Sequence, residues 1–140
     1  MCIRDSNLIV PGDAKALSVI DLDQDGWPDF VVTRNNSTPL VFRNGGVAGR
    51  NSLRVVMKGP LGNPTAVGAR VTLELADGST QMCEVHAGAG YYSQSSAACF
   101  FGWCDGNPPR RIRARWPSGV ETLHDVAPGS STVDLSSRAS

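Results

Sequence analysis

The sequence predicts an all-β chain in two units, a terminal propeller-type blade followed by a small β-sandwich or barrel-like domain. Three observations carry that reading. Apolar residues recur at every second position in runs such as Leu53, Val55 and Met57, or Val71, Leu73 and Leu75, the period of a strand with one buried face. No stretch carries a convincing helical pattern. A glycine-rich joint, Gly45 to Gly49, separates two differently patterned halves.

The 140 residues, 41% of them apolar, suffice for a packed core. The formal net charge of zero gives no general reason to bind nucleic acid or an anionic membrane. No apolar run approaches the roughly 20 residues of a membrane span. Residues 1–6, Met1-Cys-Ile-Arg-Asp-Ser6, fit no targeting class and resemble a translated sequencing-adapter string. They are expected to be foreign or disordered, with the true N-terminus missing.

Residues 7–46 read as strand, acidic loop, strand, turn, strand. The strands are Ala16 to Ile20, Phe30 to Thr33 and Leu40 to Arg43, with a polar turn from Arg34 to Pro39. The loop is Asp21-Leu-Asp23-Gln-Asp25-Gly26-Trp27-Pro28-Asp29. Two unit charges about 4 Å apart repel by roughly 1 kcal/mol in water and about 4 at the effective dielectric of a protein surface. Carboxylates gathered this tightly therefore call for a cation. Calcium suits them, because it takes six to eight oxygens in a flexible geometry. Asp21, Asp23 and Asp25 would supply side chains at loop positions one, three and five, Trp27 a backbone carbonyl, and Asp29 the ninth position. A helix-flanked EF-hand is excluded, since its bidentate glutamate at position twelve is here Val32.

The run Val19-Ile-Asp-Leu-Asp-Gln-Asp-Gly-Trp-Pro-Asp-Phe-Val-Val-Thr33 resembles the FG-GAP/VCBS repeat. That resemblance implies one blade of a β-propeller with a calcium loop between strands, and further blades upstream, because one blade cannot bury both its faces.

Residues 47–136 form the second expected unit, with 137–140 a tail. Strands are expected around Leu53 to Lys58, Val71 to Leu75, Ser79 to His86, Ala97 to Phe101, Arg111 to Trp116 and Val120 to Leu123, with Ser131 to Leu135 a last edge strand. Asp77-Gly78 and Pro117-Ser-Gly119 mark hairpin turns. Ala66-Val-Gly-Ala-Arg-Val71, Gly88-Ala-Gly-Tyr-Tyr-Ser-Gln-Ser95, Phe101-Gly102 and Arg115-Trp-Pro-Ser-Gly119 resemble, in order, the ASPIC/UnbV domain of the cartilage acidic protein-like family. This domain typically follows FG-GAP/VCBS repeats. The chain departs from the pattern at Cys99-Phe-Phe-Gly-Trp-Cys104 and in the extended loop Asn107-Pro-Pro109.

Other clusters are weaker. Cys83, His86, Cys99 and Cys104 invite zinc, but a separation of three on one strand sends Cys83 and His86 to opposite faces. Cys99 and Cys104 are either a disulfide closing a small loop or two free thiols. Ser93 or Ser95 with His86 or His124 and Asp125 matches no nucleophile motif, so no catalysis is expected. Arg111, Arg113 and Arg115 share a strand face opposite Ile112, Ala114 and Trp116, a solvated face over a buried one. Tyr91, Tyr92, Ser93 and Gln94 are the best candidate ligand site, with ring faces for sugars and amides for hydroxyls. The expectation is a secreted or cell-envelope (periplasmic) calcium-binding adhesion or interaction module, with a protein or glycan ligand and Ca2+ as its cofactor. The alternative is an accessory or carbohydrate-binding domain of a larger secreted enzyme.

Overall fold

The computed structural model describes residues 8–88, 90 and 92–137, which hold ten strands and no helix. Residues 1–6 lie outside the described residues, as do three of the four tail positions.

The first three strands, β1 (Ala14–Ile20), β2 (Asp29–Arg34) and β3 (Ser37–Phe42), form an antiparallel meander in that order. The turn between β2 and β3 is tighter than the polar stretch suggests. Asn36 takes a left-handed φ of 51°, so β3 starts at Ser37 and includes Pro39. Proline is tolerated because β3 is an edge strand with no further partner in this sheet.

The remaining strands build a two-layer sandwich. They are β4 (Arg50–Lys58), β5 (Arg70–Leu75), β6 (Thr80–Glu84), β7 (Ala98–Cys104), β8 (Pro109–Arg115), β9 (Glu121–Asp125) and β10 (Thr132–Ser136). One sheet has the order β10-β4-β7 and the other β6-β5-β8-β9. The period of two decides which residues meet. Leu53, Val55 and Met57 of β4, with Cys99 and Phe101 of β7, face Val71, Leu73 and Leu75 of β5 and Ile112 and Ala114 of β8 in one buried cluster. Burying each large aliphatic side chain contributes about 1.5–3 kcal/mol. The arginines of β8 stay exposed opposite Ile112 and Ala114, as their alternation requires.

Both expected hairpin turns form. Gly78 at φ 83° and Gly119 at φ 87° occupy the left-handed positions those turns need. The last strand is indeed an edge strand, but it pairs parallel to β4, Val133 opposite Val55 and Leu135 opposite Met57. A parallel pair needs a long crossover, and here the whole of β5 to β9 supplies it.

The meander and the sandwich touch at defined points. Ser96 N donates to Val19 O at 2.9 Å and Val19 N donates to Ser95 Oγ at 3.1 Å, which covers part of the outer edge of β1. Gly26 lies so close to Ser131 that a Cβ there would stand 2.6 Å from the Ser131 carbonyl oxygen. Among the described residues no helix is long and apolar enough to cross a membrane.

Candidate metal centre

The loop between β1 and β2 folds around its own carboxylates. Asp21 directly follows β1, and its Oδ1 and Oδ2 accept from the backbone N–H groups of Asp25 and Gly26, each at 3.1 Å. Asp29 opens β2 and is fully buried, with Oδ2 accepting from Leu22 N at 2.9 Å and Oδ1 from Asn44 N at 2.8 Å. Gly26, at φ 90°, provides the sharp bend that turns these N–H groups inward. The Trp27 ring lies against Gly46, where a Cβ would come within 3.1 Å of it, so the segment after β3 closes over the loop.

This arrangement brings one carboxylate oxygen each of Asp21, Asp23 and Asp29 within 4.8 Å of one another. Calcium–oxygen distances of 2.3–2.6 Å place two ligands of one ion at most about 5 Å apart, so the spacing fits. Each carboxylate offers about four lone-pair positions. The backbone N–H bonds therefore orient Asp21 and Asp29 without exhausting them. Asp25 stands outside the group, and its Oδ1 accepts from Trp27 N at 2.8 Å.

Two arginines balance part of the charge. Arg43 Nε pairs with Asp23 Oδ2, and Arg54 Nε lies 3.8 Å from Asp21 Oδ2, buried and without a hydrogen-bond partner. Against four loop carboxylates, two guanidiniums leave two negative charges, the charge of one divalent cation. Arg54 sits on β4 and its N–H donates to Ser131 O at 2.9 Å. The sandwich thus reaches the acidic loop through Arg54 and Ser131. Nothing in the loop sequence signals this contact, because it joins residues more than thirty positions apart.

The tyrosine segment is placed differently. Tyr91 lies outside the described residues. Tyr92, at φ 47°, is 89% exposed and Gln94 is exposed, while Ser93 bridges back to Gly90. The adjacent cavity of about 160 Å³ is lined by His86, Ser95 and Ser96 rather than by Tyr92 or Gln94. A larger cavity of about 260 Å³ opens at one end of the sandwich, lined by Trp103, Asn51, Asp105, Pro108 and Pro128. Its signal in the sequence is the Trp103 and Asn107-Pro-Pro109 departure noted above.

The cysteines follow the second of the two alternatives left open for Cys99 and Cys104. Cys99 and Cys104 are free thiols at the two ends of β7, Cys99 buried and Cys104 exposed on the opposite face. Five residues of strand separate them by about 16 Å, well beyond the roughly 7 Å at which two Cα atoms can be bridged. The thiol beside Cys99 is instead Cys83. Their hydrogen bond holds the Cys83 thiol below its ordinary range, and the same bond with burial pushes Cys99 up. His86 is exposed beyond the end of β6, and among the described residues the aspartates are the one metal-type cluster. Ser95 Oγ is engaged by Val19 N, and His124 Nε2 contacts Thr122 Oγ1 at 2.9 Å.

A comparison with curated proteins found no match. Residues 59–139 match the family model described as ASPIC and UnbV. The match covers most of the sandwich and over half the chain, and it begins just after β4, whose Leu53, Val55 and Met57 complete the core. This chain belongs to the ASPIC/UnbV family.

Proposed function

We propose that this chain is a non-enzymatic, calcium-stabilised interaction module of the cell envelope or extracellular space. Its acidic loop belongs to a terminal propeller-type blade, and its sandwich displays the recognition surface to a protein or glycan. The observation that carries this reading is the convergence of Asp21, Asp23 and Asp29 oxygens within 4.8 Å. The Trp27 carbonyl and water would complete the shell, with Asp25 bracing the loop or joining through water. Calcium at extracellular millimolar levels fills even weak sites of this kind.

The resemblance of the loop to FG-GAP/VCBS repeats supports the blade, and so does the exposure of the meander. Leu17 is 46% and Val41 60% exposed. Leu17 registers with Val32 and Val41 with Val31, adjacent positions of β2 whose side chains point to opposite faces. A sheet with apolar residues open on both faces suits stacking between blades. Calcium titration followed by thermal melting tests the site. The midpoint should rise with calcium, and Asp23→Asn should abolish the rise. A rise that survives in Asp23→Asn, or none in the parent chain, rules the site out.

A second reading, a carbohydrate-binding accessory domain, is favoured by the Trp103 cavity, where an indole stands beside Asn51 and Asp105. Oligosaccharide binding lost in Trp103→Ala and retained in Tyr92→Ala would support it.

A further inference from the structure

Strand β6 is the edge of the four-stranded sheet and β7 the edge of the three-stranded one, and these two edges lie side by side. Gln81 Nε2 on β6 donates to the Gly102 carbonyl on β7 at 2.7 Å, tying the two layers directly. Two residues further along β6, Cys83 registers with the fully buried Val71 and so points into the sandwich. Cys99 on β7 registers with the fully buried Val55 and points into the sandwich from the other sheet. Both side chains thus enter the same interior from adjoining edges of opposed layers, and Cys83 packs against the buried cluster that holds Cys99, with its Sγ 3.8 Å from the Glu84 carbonyl oxygen. Cys99 is buried, whereas Cys83 is partly exposed and reachable from solvent.

We propose that Cys83 and Cys99 are a dithiol–disulfide pair that, when oxidised, staples the two sheets and closes the segment between them. The chemistry follows from the asymmetry of the pair. The accessible Cys83, whose thiolate its neighbour favours, attacks a sulfur of a carrier disulfide, such as a protein disulfide or oxidised glutathione. A mixed disulfide forms and one carrier thiol leaves. Cys99 then gives up its proton and attacks the Cys83 sulfur, and the second carrier thiol leaves. The pair loses two electrons and two protons, and the carrier disulfide becomes two thiols. The second step is intramolecular, so Cys99 needs no access to the carrier, and once Cys83 is in the mixed disulfide its thiolate no longer opposes ionisation of Cys99.

The closed segment carries the tyrosines, and also Ser95 and Ser96, which hold the edge of β1. Oxidation therefore anchors the base of that segment and, through Val19, the strand that leads into the acidic loop. Reduction leaves its two ends held by strand packing alone. Cys104, exposed at the far end of β7, takes no part.

The test is disulfide mapping after equilibration of the chain in oxidised glutathione, with alkylation of the remaining thiols. Chymotryptic cleavage after Tyr92, Phe100 and Trp103 puts Cys83, Cys99 and Cys104 on three separate peptides. The expected product links the Cys83 and Cys99 peptides, with Cys104 alkylated. The oxidised chain should melt about 10 °C above the reduced one, as expected for a closed loop of this length. That difference should vanish in Cys83→Ser, a near-isosteric change at a partly exposed site, and persist in Cys104→Ser. Cys83 and Cys99 both alkylated after oxidation, or either one linked to Cys104 or Cys2 instead, would overturn the proposal. So would an oxidised chain that melts no higher than the reduced one.

Discussion

The meander and the sandwich solve the same problem with opposite materials. In the sandwich the buried side chains are apolar and come from both layers, Leu53 and Val55 from one, Leu73 and Ile112 from the other. In the meander the buried side chains among the described residues are Val32 and two carboxylates, Asp21 and Asp29. A sheet whose most buried groups are charged gains little from the hydrophobic effect and depends on what neutralises them. The sandwich should be self-sufficient, and the meander should depend on its contacts with Arg54 and Ser131 and on whatever neutralises its carboxylates.

The largest expected effect strikes the sandwich. Leu73→Ala removes a fully buried side chain and should cost about 2–5 kcal/mol. Urea titration should show the loss equally with and without calcium. Asp29→Asn should cost about 1–3 kcal/mol, since it weakens two charge-assisted backbone hydrogen bonds to a buried group. It should also remove the calcium dependence of melting, and an unchanged calcium response would break the contrast between the two regions.

Gly26→Ala probes their junction. It combines a left-handed backbone with a clash against Ser131, and a strained residue of this kind costs about 1–3 kcal/mol. Limited proteolysis should then cut the loop between β1 and β2 while leaving the sandwich intact.

The smallest effect is a pH dependence in the β5–β6 hairpin. Asp77 Oδ1 accepts from Ser79 Oγ at 2.6 Å and Ser79 N at 2.8 Å, and these bonds hold its carboxyl below the ordinary value of 3.8. Because the folded value is depressed, the contribution is present above the unfolded value and is lost as pH falls below about 4 through the folded one. Asp77→Asn should flatten that part of the acid melting profile only slightly, since the group is solvent-exposed.

The period of two in β4, β5 and β8 makes the sandwich core legible in the sequence, because alternation is a local property of the chain. The acidic loop was legible for the same reason: Asp21, Asp23 and Asp29 are close in sequence, and the glycine marks the bend. What stayed hidden depends on long-range register. The parallel docking of β10 on β4, the approach of Arg54 to Asp21 and the meeting of Cys83 with Cys99 join distant positions, and a period of two says nothing about which strands are neighbours. The choice left open between a Cys99–Cys104 disulfide and two free thiols turned on the same point, since proximity in sequence along an extended strand means separation in space. Asp25 is subtler, because its spacing matches the other loop aspartates while its oxygen is turned to Trp27 N.

The most direct measurement of whether a cation organises the meander is amide hydrogen exchange with and without calcium. Calcium should slow exchange in Leu22 to Trp27 and in β1 and β2, and leave β5 and β8 unchanged. Exchange that calcium leaves untouched in the meander, or slows equally in the sandwich, would contradict a calcium clamp at Asp21, Asp23 and Asp29.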